Sequence, residues 1–211
     1  MTIALNYSTQ KLKYNNILCA IWKQVMQSNY SGRQENDTLS GTGGTFRRDL
    51  ATGKSGCDRV AAHFVRSGWR VEDVSGDAAW QKQDVDLLLY KPGATKPITV
   101  EVKTDRWPDI NGTLSWEVIS NIAKGTVGCC VVTTAEYMAF LSPQSGRLMV
   151  FRTDKMRKYI SRCGENKWGV AYHKNEARWM PEGEQQTSIS LKVPVELAMA
   201  AIDAKIFHLP A

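Results

Sequence analysis

Two carboxylates and a lysine stand where one β-hairpin would gather them, in QDVDLLLYKPGATKPITVEVKTD, residues 83–105. Asp86 opens an apolar run, and a Pro/Gly-containing break separates it from a second strand pattern carrying Glu101 and Lys103. Strand side chains alternate faces, so Glu101 and Lys103 project from one face while Ile98, Val100 and Val102 point to a core. Residues 91–97 suit a hairpin connection that brings Asp86 beside Glu101. Two converging carboxylates bind a hard divalent cation such as Mg²⁺. A lysine beside them can orient or deprotonate a water, or offset the charge of a phosphorane-like transition state. The plain alternative is a solvated sheet face held by salt bridges.

An aspartate, a spacer, then Glu101-Val102-Lys103 on the next strand resembles the signature of the PD-(D/E)xK nuclease superfamily. A second Glu-x-Lys, Glu165-Asn166-Lys167, lacks both a strand pattern and a preceding aspartate, and is set aside. The resemblance implies an α/β fold: a restriction-endonuclease-like core, with a central mixed β-sheet flanked by helices. It implies Mg²⁺ as cofactor, with Mn²⁺ able to substitute. Asp86, Glu101 and the Val102 carbonyl become the expected ligands, and Lys103 the residue that assists the attacking water. Superfamily members commonly carry an acidic residue on the helix before these strands. Asp58 matches that place, near the inward face, although interaction with the helix N-terminal dipole would also explain it.

The resemblance narrows to phage- and plasmid-type endonucleases of this superfamily. These follow Glu-x-Lys with a Gly/Asn turn, a short strand ending in glutamate, a Gly-containing strand and a Thr-x-Ala-(Asp/Glu)-aromatic segment. The corresponding residues are Asn111-Gly112, Glu117, Gly128 and Thr133-Thr134-Ala135-Glu136-Tyr137. The turn order is reversed from the usual Gly-Asn. On this pattern Glu117 is a further carboxylate that ligates the metal or orients the water; otherwise it is a surface strand residue.

The elements that must position these groups follow from periodicity. Residues 56–67 form a helix with Val60, Ala61, Phe64 and Val65 as its apolar stripe and Gly68 as its stop. An extended segment begins at Trp69. Residues 113–118, 148–151 and 189–193 read as strands, and residues 127–132 as a buried strand. Thr133-x-x-Glu136 reads as a capping box starting a helix with Tyr137, Met138 and Phe140. Residues 154–162 form a basic helix with Met156 and Ile160 inward, and Pro194 suits the first turn of a last helix. Thr52-Gly53-Lys54-Ser55 mimics the end of a phosphate-binding loop. Its first glycine would have to be Arg48 and no strand precedes it, so an ATPase is rejected.

The organisation expected is an N-terminal helix and flexible linker over residues 1–45, then a nuclease-like domain over residues 46–211. Tyr14, Leu18, Ile21, Trp22 and Val25 recur at helical spacing, and residues 28–45 are polar and Gly/Ser-rich. The N-terminal helix either packs on a partner subunit, giving a homodimer, or covers the same core.

With 211 residues, 43% of them hydrophobic, the chain can bury one sizeable core. No apolar run is long enough to cross a membrane. Five cysteines without metal-type spacing point to reduced thiols in a cytoplasm, that of the host cell if the protein is phage-encoded. A net charge of +6 favours a polyanionic partner. DNA is the partner the resemblance implies, and Lys155, Arg157, Lys158 and Arg162 could line its path, unless they are a solvated helix face. Basic and aromatic residues also interleave over residues 164–187. The reading is a Mg²⁺-dependent DNA nuclease, an endonuclease by its closest resemblance. The alternative is a catalytically inactive nucleic-acid-binding or assembly protein on the same fold.

Overall fold

The computed structural model describes residues 44–163, 171–174, 178–179 and 185–210. The N-terminal arm, the second Glu-x-Lys and the Lys167-Trp168 pair lie outside the described residues. The chain opens with helix α1 (Gly44–Arg66), followed by β1 (Arg70–Asp73), α2 (Ala78–Gln81), β2 (Leu87–Tyr90) and β3 (Ile98–Thr104). Then come α3 (Trp107–Asn111), β4 (Thr113–Asn121), β5 (Thr126–Val127), α4 (Cys129–Val132), β6 (Tyr137–Leu141) and β7 (Arg147–Arg152). The remainder is α5 (Thr153–Cys163), β8 (Ala171–Lys174), β9 (Arg178–Trp179), β10 (Gln185–Gln186), β11 (Ile189–Pro194), α6 (Val195–Ile202) and β12 (Lys205–His208).

A mixed six-stranded sheet has the order β1-β2-β3-β6-β7-β12. Its one parallel step is β3 to β6, the others being antiparallel. A second, antiparallel sheet has the order β5-β4-β11-β8. The α/β class and the mixed sheet agree with the expectation.

Helix α1 covers one face of the large sheet, packing Cys57 and Val60 on Leu87, Leu89, Val100 and Val102. Gly56 lies against Thr104, where a Cβ would collide with the threonine side chain, so the helix crosses the strand at close range. The helix ends as expected at Gly68: its φ is +81°, Gly68 N–H donates to the Val65 carbonyl, and Trp69 N–H to the Phe64 carbonyl. Thr52-Gly53-Lys54-Ser55 lies inside this helix, where no phosphate cradle can form.

The opposite face of the large sheet packs on the second sheet. Met138, Phe140, Met149 and Phe151 meet Trp116, Val118, Leu191 and Val193, and α5 adds Met156, Tyr159 and Ile160. Trp116 sits edge-on to both Phe151 and Tyr159.

Three local expectations fail. Helix α1 starts at Gly44 rather than Gly56, which puts Asp58 more than three turns from the helix N-terminus and its dipole. Residues 129–132 are a helical turn, because a short apolar run of Cys and Val carries no period that separates strand from buried helix. The supposed capping box starts no helix: residues 137–141 are β6, and the Thr133 hydroxyl instead accepts from Ala135 N–H at 3.0 Å. Hydrogen bonding of that kind serves a loop as well as a helix.

Candidate active site

The β2–β3 hairpin gathers the three residues as expected. Leu87 pairs with Val100 across the ladder, so Asp86, one step beyond, sits opposite Glu101. Asp86 N–H donates to the Val100 carbonyl at 2.9 Å, and Asp86 Oδ2 accepts from Val102 N–H at 2.8 Å. The N–H and C=O of one strand residue lie on the same edge. The Val102 carbonyl therefore shares the edge that its N–H presents to Asp86. Val100 and Val102 turn to α1, while Glu101 and Lys103 take the face of their β6 partners Met138 and Phe140.

Glu101 is 3% exposed, and its carboxylate meets Lys103 Nζ at 2.6 Å. Burial pushes the Glu101 carboxyl up to about 7; Lys103 opposes the rise, and Asp86 and Asp84 add to it. Lys103 is still 38% exposed at its side chain. Burial works against its charge, but the Cys129 sulfur and the Glu101 carboxylate outweigh it and hold the amine protonated. An ammonium cannot take a proton from water. Of the two roles open to this lysine, donating to developing negative charge is the one its ionisation supports.

Asp84 is a member of the site that sequence reasoning missed. It has a left-handed φ of 50°, uncommon for a residue other than glycine. Its half-buried carboxyl is raised by burial, with Lys103 opposing and Asp86 adding. The Thr133 hydroxyl holds the Asp84 carbonyl at 2.5 Å, and Thr134 N–H holds the Gln83 carbonyl at 2.8 Å. The signal available was the Asp-x-Asp spacing of Asp84 and Asp86, which strand alternation alone would place on one face. Cys129 is the other missed neighbour, delivered to Lys103 by the first turn of α4.

Glu117 lies on β4, in the second sheet, so its strand is not a sheet neighbour of β3. The strand also runs four residues past it, to Asn121, rather than ending there. Its backbone reaches the site indirectly: the Glu117 carbonyl would be 2.5 Å from a Cβ on Gly128, the residue before Cys129. Its charge acts on the buried Cys130 thiol, which burial chiefly raises.

Asp58 requires a correction. It is exposed, and Lys54 Nζ bonds it at 2.9 Å and Asp73 at 2.8 Å. Asp73 pairs with Leu87 and so faces α1, the side of the sheet away from Glu101 and Lys103. The inward phase of α1 runs through Cys57 and Val60, which leaves Asp58 turned to solvent.

The basic helix α5 is present with Met156 and Ile160 inward, but its four cations differ. Arg157 is half-buried and its guanidinium donates to the Thr133 carbonyl, bracing the loop that holds Asp84. That contact takes it out of an outward-facing row. Lys155 is 3.3 Å from Asp203. Lys158 and Arg162 are exposed.

Among the described residues no three His, Cys, Asp or Glu side chains converge as a metal cage. The expected set differs in kind, being two carboxylates and one main-chain carbonyl. All three donors are hard oxygens, as Mg²⁺ requires, and the proton-prone buried Glu101 beside two aspartates is an anionic cluster that a cation would relieve. Among the described residues no helix is long and apolar enough to cross a membrane. No protein-family model, curated protein or solved structure matches the chain.

Proposed function

We propose that the chain is a metal-dependent deoxyribonuclease, an endonuclease of the PD-(D/E)xK kind on a restriction-endonuclease-like core. The observation that carries the reading is the pairing of Asp86 with Glu101 and Lys103 across one hairpin, on a buried sheet face. Asp86, Glu101 and the Val102 carbonyl would hold Mg²⁺, or Mn²⁺ in its place. When bound, such an ion supplies Lewis-acid stabilisation of charge on the phosphoryl oxygens. Asp86 is kept in place by Val102 N–H, and its orientation is thus tied to the strand that carries the other donors. Lys103, paired with Glu101, would donate to a phosphoryl oxygen or hold a water. Glu117 is a second-tier candidate for orienting that water, a role that rests on the resemblance alone.

The test is a gel assay on supercoiled, linear, single-stranded and branched DNA, with Mg²⁺ and with EDTA. Mg²⁺-dependent cutting that Lys103→Ala abolishes supports the reading. DNA retained but left intact supports the inactive binding or assembly protein instead. Neither cutting nor binding overturns both.

A further inference from the structure

Beyond Lys103 the chain builds a second cationic feature. Asp105, two residues further on, is 8% exposed and spends both carboxylate oxygens on main-chain N–H groups, Trp107 at 3.0 Å and Ser115 at 2.8 Å. These bonds fasten the end of β3 to the edge of β4. Trp107 is thereby held against two cations. Arg106 stands 5.2 Å from its ring centroid, and Lys192, from β11, stands 4.5 Å from it.

Lys192 is unusual. Its side chain is half-buried, and its amine donates to Ser115 Oγ at 2.9 Å. Burial draws its pKa down; Asp105 opposes that, and Arg106 adds to it. Among the described residues neither Arg106 nor Lys192 makes an ion pair with a carboxylate. Two like charges are therefore held on one indole, and among the described residues the carboxylate near both is Asp105, whose oxygens are already occupied. An indole face stabilises cations without neutralising them. Arginine and lysine so placed are donors to an anion with several oxygens, above all a phosphate.

The position gives the anion its identity. Arg106 follows Lys103 by three residues, so their Cα atoms are at most about 10 Å apart. Measured at the backbone, that limit corresponds to about three steps of roughly 3.4 Å rise along the axis of a DNA duplex. Lys192 pairs with Ser115 on β4, two residues from Glu117.

We infer that Arg106 and Lys192, mounted on Trp107, form a phosphate-holding site for a DNA strand a few nucleotides from the Asp86–Glu101–Lys103 group. This rests on the nuclease reading for the identity of the ligand, but it is a binding site and is tested without cleavage. The probe is a fluorescein-labelled 20-base-pair DNA duplex titrated in Ca²⁺ at several salt concentrations, with the single strand in parallel. The double variant Arg106→Gln/Lys192→Gln should bind about tenfold or more weakly. Its log–log salt slope should be shallower by about 1 to 2, since each lost phosphate contact removes about 0.9. Arg106→Gln alone, at an exposed position that leaves the fold alone, should lose about half of the slope change. Lys192→Arg should keep the parent slope. Binding should also change the Trp107 emission, identified by its absence in Trp107→Phe.

An unchanged salt slope and affinity in the double variant would overturn the site, as would a parent that does not bind DNA. Reduced binding in the variant, with no cutting by the parent in Mg²⁺, keeps the phosphate site and removes the nuclease. Cutting by the parent with unaltered binding in the variant does the reverse.

Discussion

Two clusters of one kind, a lysine among carboxylates, stand on opposite sides of the β1–β2–β3 meander. Lys54 joins Asp58 and Asp73 on the α1 side, and Lys103 joins Glu101, with Asp86 across the hairpin, on the other. The first is exposed: Lys54 and Asp58 each keep 59% of their side-chain surface. The hydrogen bonds that Lys54 Nζ donates to Asp73 and Asp58 raise the Lys54 pKa, so the cluster stays an ordinary set of surface ion pairs, worth little because water and salt screen it. The second has Glu101 at 4% side-chain exposure, pushed up to about 7. Composition does not separate them. Burial does, since removing water makes unlike and like charges both matter, and strongly shifted groups collect where chemistry is done.

The comparison breaks most visibly in cleavage. Lys103→Ala should reduce Mg²⁺-dependent cutting by about 10²–10³-fold and leave the protein folded, because a donor to transition-state charge is lost. Lys54→Ala should cut at the parent rate. Equal losses in the two would show that both lysines act only through net charge.

Glu117→Gln sharpens the boundary of the buried cluster. Loss of a water-orienting carboxylate should lower cutting by roughly tenfold, while Asp58→Asn stays near the parent rate. Steady-state rates at saturating Mg²⁺ decide this, and a silent Glu117→Gln returns that residue to a structural role on β4.

Stability without metal is the next effect. A carboxyl raised to about 7 binds its proton more tightly in the folded chain than in the unfolded one. Its contribution is therefore full below the ordinary carboxylate range and is lost as pH rises through about 7. In EDTA the parent should lose stability between about pH 5 and pH 8. Glu101→Gln should flatten that loss, by on the order of 2 kcal/mol at the upper end. Urea melts at the two pH values measure it, and parallel pH profiles would contradict a buried, strained Glu101.

The smallest effect is expected at the exposed cluster. Asp58→Asn should leave the melting temperature nearly unchanged, and added salt should erase what difference remains. A marked destabilisation would mean that the Lys54 pairs hold α1 to β1.

The hairpin was legible because β3 alternates apolar and charged residues and follows β2 after a short Pro/Gly-containing connection, whereas the Leu87–Val100 register, with three consecutive leucines buried on β2, was set by the ladder itself. The Glu101–Lys103 face, the Gly68 stop, β7, β11 and the start of α6 were readable for the same local reasons. What failed had local patterns compatible with two states. Cys129 to Val132 carries no period, and Thr133-x-x-Glu136 makes side-chain bonds that suit either a helix or the loop leading into β6.

By itself the sequence determined which residue types could meet across residues 83–105, because strand alternation and a short connection are properties of the local chain. Only the tertiary structure decided which charges are buried. Asp58 looked inward until the phase of α1 was set by Cys57 and Val60 packing on β2 and β3. Asp84 entered the site through the Thr133 hydroxyl, 49 residues away in sequence. Arg157 left its outward row for the Thr133 carbonyl, and Lys192 reached Trp107 from a strand of the second sheet. Each of these depends on contacts between segments distant along the chain. Burial, and with it the strength of every charge interaction, is a property of the whole packed molecule.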